Sequence, residues 1–154
     1  CVLAMSNTRN GGTLIIGIDD TGNLNGVPKN QLDTYKAEEI KDYVSNFADP
    51  LADFDINTVP CDGKIYVVFA VREFETVPVI CKKDGTNLRK GAVYVRTRNR
   101  RPESAEVADF AHMRELIDLA VDKGRTALKT RGWQQSDGRT AEIAFAKEIK
   151  ELGL

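Results

Sequence analysis

The sequence predicts a single domain that mixes α-helices with β-strands, and three observations carry that prediction. Asp62-Gly63 sits between two runs rich in β-branched and aromatic residues, 54–61 and 64–73, a strong sequence signal for a hairpin. Apolar residues recur at three- and four-residue steps through Ile40, Tyr43, Val44, Phe47 and Leu51, the spacing of a helix that buries one face. From Ala92 to Arg98 apolar and polar side chains alternate strictly, which is the period of a strand. At 154 residues the chain can bury one real core but is too short for two ordinary domains.

Composition narrows the class. A hydrophobic share of 42% beside 29% charged residues separates the chain from both disordered and membrane-like sequences, and no apolar run approaches the roughly 20 residues of a spanning helix. The opening CVLAMSNTRN has neither a basic n-region nor an apolar h-region, so it does not read as a signal peptide. The chain starts without methionine, and it is expected to be a piece of a longer product whose gene continues before Cys1. Cys1, Cys61 and Cys81 are an odd number with no metal-finger spacing. They are expected as reduced thiols of a cytoplasmic protein, Cys61 and Cys81 serving as small apolar strand residues.

In order, residues 1–8 read as the end of a helix stopped by Asn10-Gly11-Gly12. TLIIGID (13–19) reads as a buried strand, Asp19 to Asn23 as a turn, and Leu24 to Val27 as a short returning strand. A phosphate loop runs strand, glycines, helix; here the glycines follow a helix and precede a strand, so they read as a helix stop. A helix is expected from Gln31 to about Ala48, limited by Pro50, followed by the hairpin, whose second strand (IYVVFAV) is apolar enough to be central. Pro78 opens another strand, VPVIC, and Asp84-Gly85 turns toward the alternating segment. Pro102-Glu103-Ser104 is expected to start a helix running to about Asp122, with Val107, Phe110, Ala111, Ile117 and Val121 buried and Gly124 as its stop. His112, the single histidine, falls on its flank, where it fills surface or core more often than it acts as a base. Residues 1–124 thus form the domain. Residues 125–154 form a linker and a C-terminal helix capped by Thr140, with Ile143, Ala146, Ile149 and Leu152 in one row.

Charge is the feature that points to function. Between Lys82 and Arg101 stand eight bases (Lys82, Lys83, Arg89, Lys90, Arg96, Arg98, Arg100, Arg101) and one acid, Asp84, a net +7. The remainder carries fourteen bases and twenty-two acids, a net −8, so the overall −1 conceals a two-sided molecule. On the alternating strand Val93, Val95 and Thr97 share one face, and Tyr94, Arg96 and Arg98 the other. An aromatic flanked by guanidinium groups suits phosphate neutralisation with stacking, as in many nucleic-acid sites. Lysine and arginine on a solvated edge strand, where they suppress edge-to-edge pairing, are the competing explanation.

The stretch AMSNTRNGGTLIIGIDDTGNLNGV resembles the signature of the Schlafen/AlbA-like domain family, also called divergent AAA or Schlafen-type. Ala4, Asn7, Thr8, Gly11, Gly12, Gly17, Asp19, Asp20, Gly22 and Gly26 match it. Gly63-Lys64, Val77-Pro78 and Tyr94-Val95-Arg96 then arrive in the family's order. One extra residue lies between Asn7 and the glycine pair, and Met5 replaces an aromatic. The resemblance, over roughly residues 1 to 120, implies an α+β fold: a twisted, mostly antiparallel sheet flanked by helices, in a domain that binds DNA or RNA. It also implies a place in transcriptional regulators, in defence-type proteins or in proteins described as ATP-binding.

In the Schlafen branch the resemblance further implies a metal-dependent ribonuclease with three carboxylates. Asp20 would be the catalytic, metal-binding aspartate here, and two glutamates would lie upstream of Cys1. Mg²⁺ or Mn²⁺ would be the ion, since oxygen ligands hold such hard cations. Tight turns also favour aspartate without any metal. Schlafen cores set two such lobes face to face, which implies a symmetric homodimer for a one-lobe chain. Three readings stay open: a nucleic-acid-binding module recognising backbone and shape, a ribonuclease, and a nucleotide-sensing or protein-interaction part of a regulator. No cofactor is required by the first, and no membrane partner by any.

Overall fold

A computed structural model describes residues 1–97 and 103–132 of the chain. The order of elements is α1 (Val2–Ser6), β1 (Gly12–Ile16), α2 (Lys29–Leu32), a 3₁₀ turn (Asp33–Tyr35), α3 (Ala37–Ser45) and β2 (Ala48–Asp49). There follow β3 (Phe54–Cys61), β4 (Lys64–Val71), β5 (Ile80–Cys81), β6 (Tyr94–Arg96), β7 (Ser104–Glu106) and α4 (Phe110–Thr130). Every strand pair is antiparallel: β4 lies between β1 and β3, while β2 pairs with β5 and β6 with β7. Helices together with antiparallel sheets make this an α+β fold, as expected.

The hairpin forms where Asp62-Gly63 required it. Both residues adopt positive φ, 47° and 73°, the mirror-image turn whose twist matches that of two paired strands. Its second strand, β4, is central, and Tyr66, Val67, Phe69 and Val71 are buried along it. β1 departs from expectation. It is an edge strand, pairing on one side only, and just one of its faces is covered: Leu14 and Ile16 pack inward while Thr13 and Ile15 face out. The returning strand at Leu24–Val27 shrinks to one bridge between Ile18 and Leu24.

Gly11 marks where this sheet meets α1. Its φ is +68°, and a Cβ there would lie 2.0 Å from the carbonyl oxygen of Val71, so only glycine fits. α1 is short, but Leu3, Ala4, Met5 and Ser6 are all buried. Leu3 belongs to a cluster with Phe74, Val79, Cys81, Leu116 and Leu119. Met5 belongs to a second cluster with Val27, Phe54, Val67, Phe69 and Val71. One helix of five residues therefore joins two apolar cores.

Helical boundaries differ most from expectation. The predicted helix 31–48 is broken at Lys36, which is extended (φ −68°, ψ 123°). Of its stripe, Val44 and Phe47 pack inward, whereas Tyr43 and Leu51 are 65% and 69% exposed. The helix expected from Pro102 starts instead at Phe110. Ser104–Glu106 is drawn into β7 by pairing with β6, and Asp109 caps α4 by accepting the backbone N–H of His112 at 2.8 Å. Its buried face is rotated: Leu116 and Leu119 are buried, while Phe110, Ile117 and Val121 are 90%, 53% and 44% exposed. Gly124 does not stop it. The helix continues to Thr130, across the expected boundary at residue 124, because an isolated glycine costs only about 1 kcal/mol among good helix formers. Trp133 and the expected C-terminal helix lie outside the described residues, as do Arg98, Arg100, Arg101 and Pro102.

Candidate nucleic-acid interface

The side chain of Asn7, at the end of α1, organises the basic region. It is 5% exposed, accepts the N–H of Val79 on Oδ1 at 2.7 Å, and donates Nδ2 to the carbonyls of Val79 (2.8 Å) and Tyr94 (2.9 Å). A buried amide that satisfies three backbone groups fixes the entry to β5 and the start of β6 together. Between them the chain makes a long hairpin. Cys81 and Ala92 are joined at its base (2.8 Å), and Gly85 and Leu88 bridge at its tip. Asp84, the acid of the basic window, accepts the N–H of Lys90 at 2.8 Å and stiffens the loop.

This hairpin holds Lys82, Lys83, Arg89 and Lys90, all exposed. Lys82, Lys83 and Lys90 have no carboxylate partner among the described residues. Arg89 does: its guanidinium forms a two-point ion pair with Glu106 of β7. That bonding holds the Glu106 carboxyl below its usual range and raises the guanidinium. Tyr94 is half-buried, its ring against the core cluster and its hydroxyl accepting the N–H of Arg89 at 2.8 Å. Arg96 is half-buried as well, and donates to Ser104 Oγ at 3.2 Å. Val95, on the opposite face, is buried. Tyr94 and Arg96 thus share the strand face expected of them, both tied into the fold rather than standing free.

Arg9 is a base that lies outside the window. Together with Arg96 and His112 it lines a hollow of about 360 Å³ between the end of α1, β6 and α4. A lone arginine after Asn-Thr gives no signal in sequence; only the packing of α1 beside β6 brings it near. His112 Nδ1 lies 2.5 Å from Asp109 Oδ2, a contact within the helix cap. Cys81 is fully buried and Cys61 exposed; both are free thiols, but only the first is the apolar filler expected.

The Asp19-Asp20 turn is built around Asp19. Its Oδ1 accepts from Thr21 N, Thr21 Oγ1 and Asn23 N at 2.7–2.9 Å, and its Oδ2 accepts from Asn23 Nδ2 and Asn25 Nδ2 at 2.9 and 3.1 Å. The Thr21 and Asn23 bonds hold its carboxyl far below the ordinary carboxylate range. Asp20 beside it is exposed. Among the described residues no three His, Cys, Asp or Glu side chains gather closely enough to hold a metal ion. Asp20 is therefore not part of any such group among the described residues. No described helix is long and apolar enough to cross a membrane.

Residues 1–103 match the family model described as Schlafen, AlbA_2. No curated protein matches the chain. Among solved structures it is similar to the DIP2311 protein from Corynebacterium diphtheriae, at 20% identity and a TM-score of 0.48, over 69% of this chain and 16% of that one. The chain thus spans about one sixth of that protein's length.

Proposed function

The chain belongs to the Schlafen, AlbA_2 family, and from that membership we propose that it is a nucleic-acid-binding module of a regulator or defence-type protein, recognising DNA or RNA mainly through backbone and shape. One observation carries the reading: a rigid hairpin presents Lys82, Lys83 and Lys90 to solvent without carboxylate partners among the described residues, in a molecule otherwise net acidic. Three lysine ammoniums on one ordered loop neutralise phosphates and displace condensed counterions. The three lysines sit on a loop and not on a helix that could enter a groove, so the module favours charge and shape over sequence. Arg96 and Arg9 extend the basic surface toward α4, and Arg89 joins it when a phosphate displaces Glu106.

The module works as a symmetric pair. Support for this comes from α4, which leaves Phe110, Met113, Ile117, Val121 and Leu128 exposed along one stripe. That is more apolar surface on one helix than isolated exposed residues would give. Light scattering gives the mass of a dimer if this is right; a monomer at working concentration removes the pair and leaves the binding reading in place.

The test of binding is a salt titration against duplex and single-stranded probes. A log–log slope steeper than about two is expected from lysines acting together. A flat dependence, or no affinity for either probe, would overturn the proposal.

A further inference from the structure

We infer that the groove between α3 and the tip of the basic hairpin takes one unstacked base of a single-stranded segment whose phosphates lie along the hairpin lysines; this rests on the nucleic-acid reading above. The groove encloses about 510 Å³, within the range of about 300–1,000 Å³ typical of ligand sites. Tyr43 of α3 and Phe47, two residues past its end, make one wall, their ring centroids 5.3 Å apart and inclined by 55°. Thr86 and Asn87 at the hairpin tip make the other, and the half-buried Tyr94 closes one side.

Three features make this a place for a base. Tyr43 is 65% exposed although its neighbours Val44 and Phe47 pack inward, so an aromatic face stands open at the rim. Stacking on such a face is the sequence-tolerant way proteins hold single strands. Second, the opposite wall is polar and fixed. Gly85 and Leu88 bond to each other in both directions, at 2.9 and 3.2 Å, which locks Thr86-Asn87 in a two-residue turn. Asn87 offers an amide with both donors and acceptors, and Thr86 a hydroxyl, the groups that pair with the edge of a base. Third, the wall and the cations belong to one loop: Lys82 and Lys83 precede the tip and Lys90 follows it. A strand held by its phosphates on those lysines is delivered to the groove mouth.

Gly85 keeps the groove at its width. A Cβ there would lie 3.0 Å from Phe47 Cε1, so any larger residue would press on the aromatic wall and the ring would have to yield.

The test uses the whole chain with a single-stranded oligonucleotide of about 12 nucleotides bearing 2-aminopurine, a length within the reach of known single-strand sites; a duplex of the same sequence is the comparison. Expected are quenching of 2-aminopurine on binding and a roughly tenfold loss of single-strand affinity in Tyr43→Ala, with Tyr43→Phe near the parent. Duplex affinity stays unchanged in both variants. Tyr43→Ala binding the single strand as tightly as the parent overturns the base site and leaves the nucleic-acid reading standing. Absence of binding to either probe by the parent removes that reading and this one with it. If Tyr43→Ala abolishes self-association while single-strand affinity is unchanged, the groove belongs to a second copy of the chain and the inference fails.

Discussion

Asn7 and Val79 are 72 positions apart, yet the side-chain amide of one closes a two-point hydrogen bond with the backbone of the other: N–H to Oδ1 at 2.7 Å and Nδ2 to carbonyl at 2.8 Å. Replacing Asn7 with alanine strands buried backbone groups of Val79 and Tyr94. Each unsatisfied group costs about 1–3 kcal/mol, so Asn7→Ala is expected to lose roughly 2–5 kcal/mol in urea unfolding. Asn7→Asp should not rescue it, because a carboxylate would face two carbonyl oxygens. A variant as stable as the parent would show that the clamp is dispensable.

Glu106 restrains Arg89. Glu106→Gln frees the guanidinium for phosphate and should raise nucleic-acid affinity roughly two- to fivefold at low salt. The side chains of Arg89 and Glu106 are 65% and 39% exposed, and an ion pair this open to solvent contributes about 0–1 kcal/mol, so the melting temperature should hardly move. Weaker binding in this variant would mean that Glu106 positions Arg89 for the ligand instead of competing with it.

The hairpin lysines should act through counterions. Lys82, Lys83 and Lys90 changed together to glutamine are expected to flatten the salt dependence by roughly two to three in log–log slope. Circular dichroism should be unchanged, since all three are exposed. An undiminished slope would move the binding surface elsewhere.

Much of this was legible in the sequence, and what was not has a common physical cause. Asp62-Gly63 announces its hairpin because the demand for positive φ is local, and the apolar run 65–71 announces the central strand because Tyr66, Val67, Phe69 and Val71 are all buried along it. The start of α4 was hidden: Ser104–Glu106 becomes a strand only because β6 lies beside it, a fact outside any local window. Its buried face was hidden for another reason. Leu116 and Leu119 line one flank and Phe110, Ile117 and Val121 another, so periodicity fits either rotation. The basic hairpin could be counted in composition, but neither the pairing of Arg89 with Glu106 nor the engagement of Tyr94 by the Arg89 N–H could.

Asp19 supplies an acid-sensitive joint. Its carboxyl is held below the unfolded value, near 3.9 for aspartate, by bonds that the ionised form accepts. The stabilisation is therefore complete above that value and is lost as pH falls below it. Protection factors at Thr21 and Asn23, taken relative to the intrinsic exchange rate at each pH, should fall progressively as pH drops below about 4. Asp19→Ala should show the lowered protection already at neutral pH; protection that is the same in parent and variant would assign the turn's order to its backbone alone.

Gly11→Ala is expected to cost more than about 3 kcal/mol, combining a left-handed alanine with a Cβ driven onto the Val71 carbonyl. Soluble, fully stable protein would mean that β1 can shift away from β4 at little expense.

The five residues of α1 act as a keystone. Leu3 is lodged among side chains from the two-stranded elements and α4, and Met5 among those of the three-stranded sheet. Neither half owns a complete interior, so neither should survive alone. Heat or denaturant ought to melt the chain in one step, and trimming it back past Ser6 should collapse both ends of the molecule together.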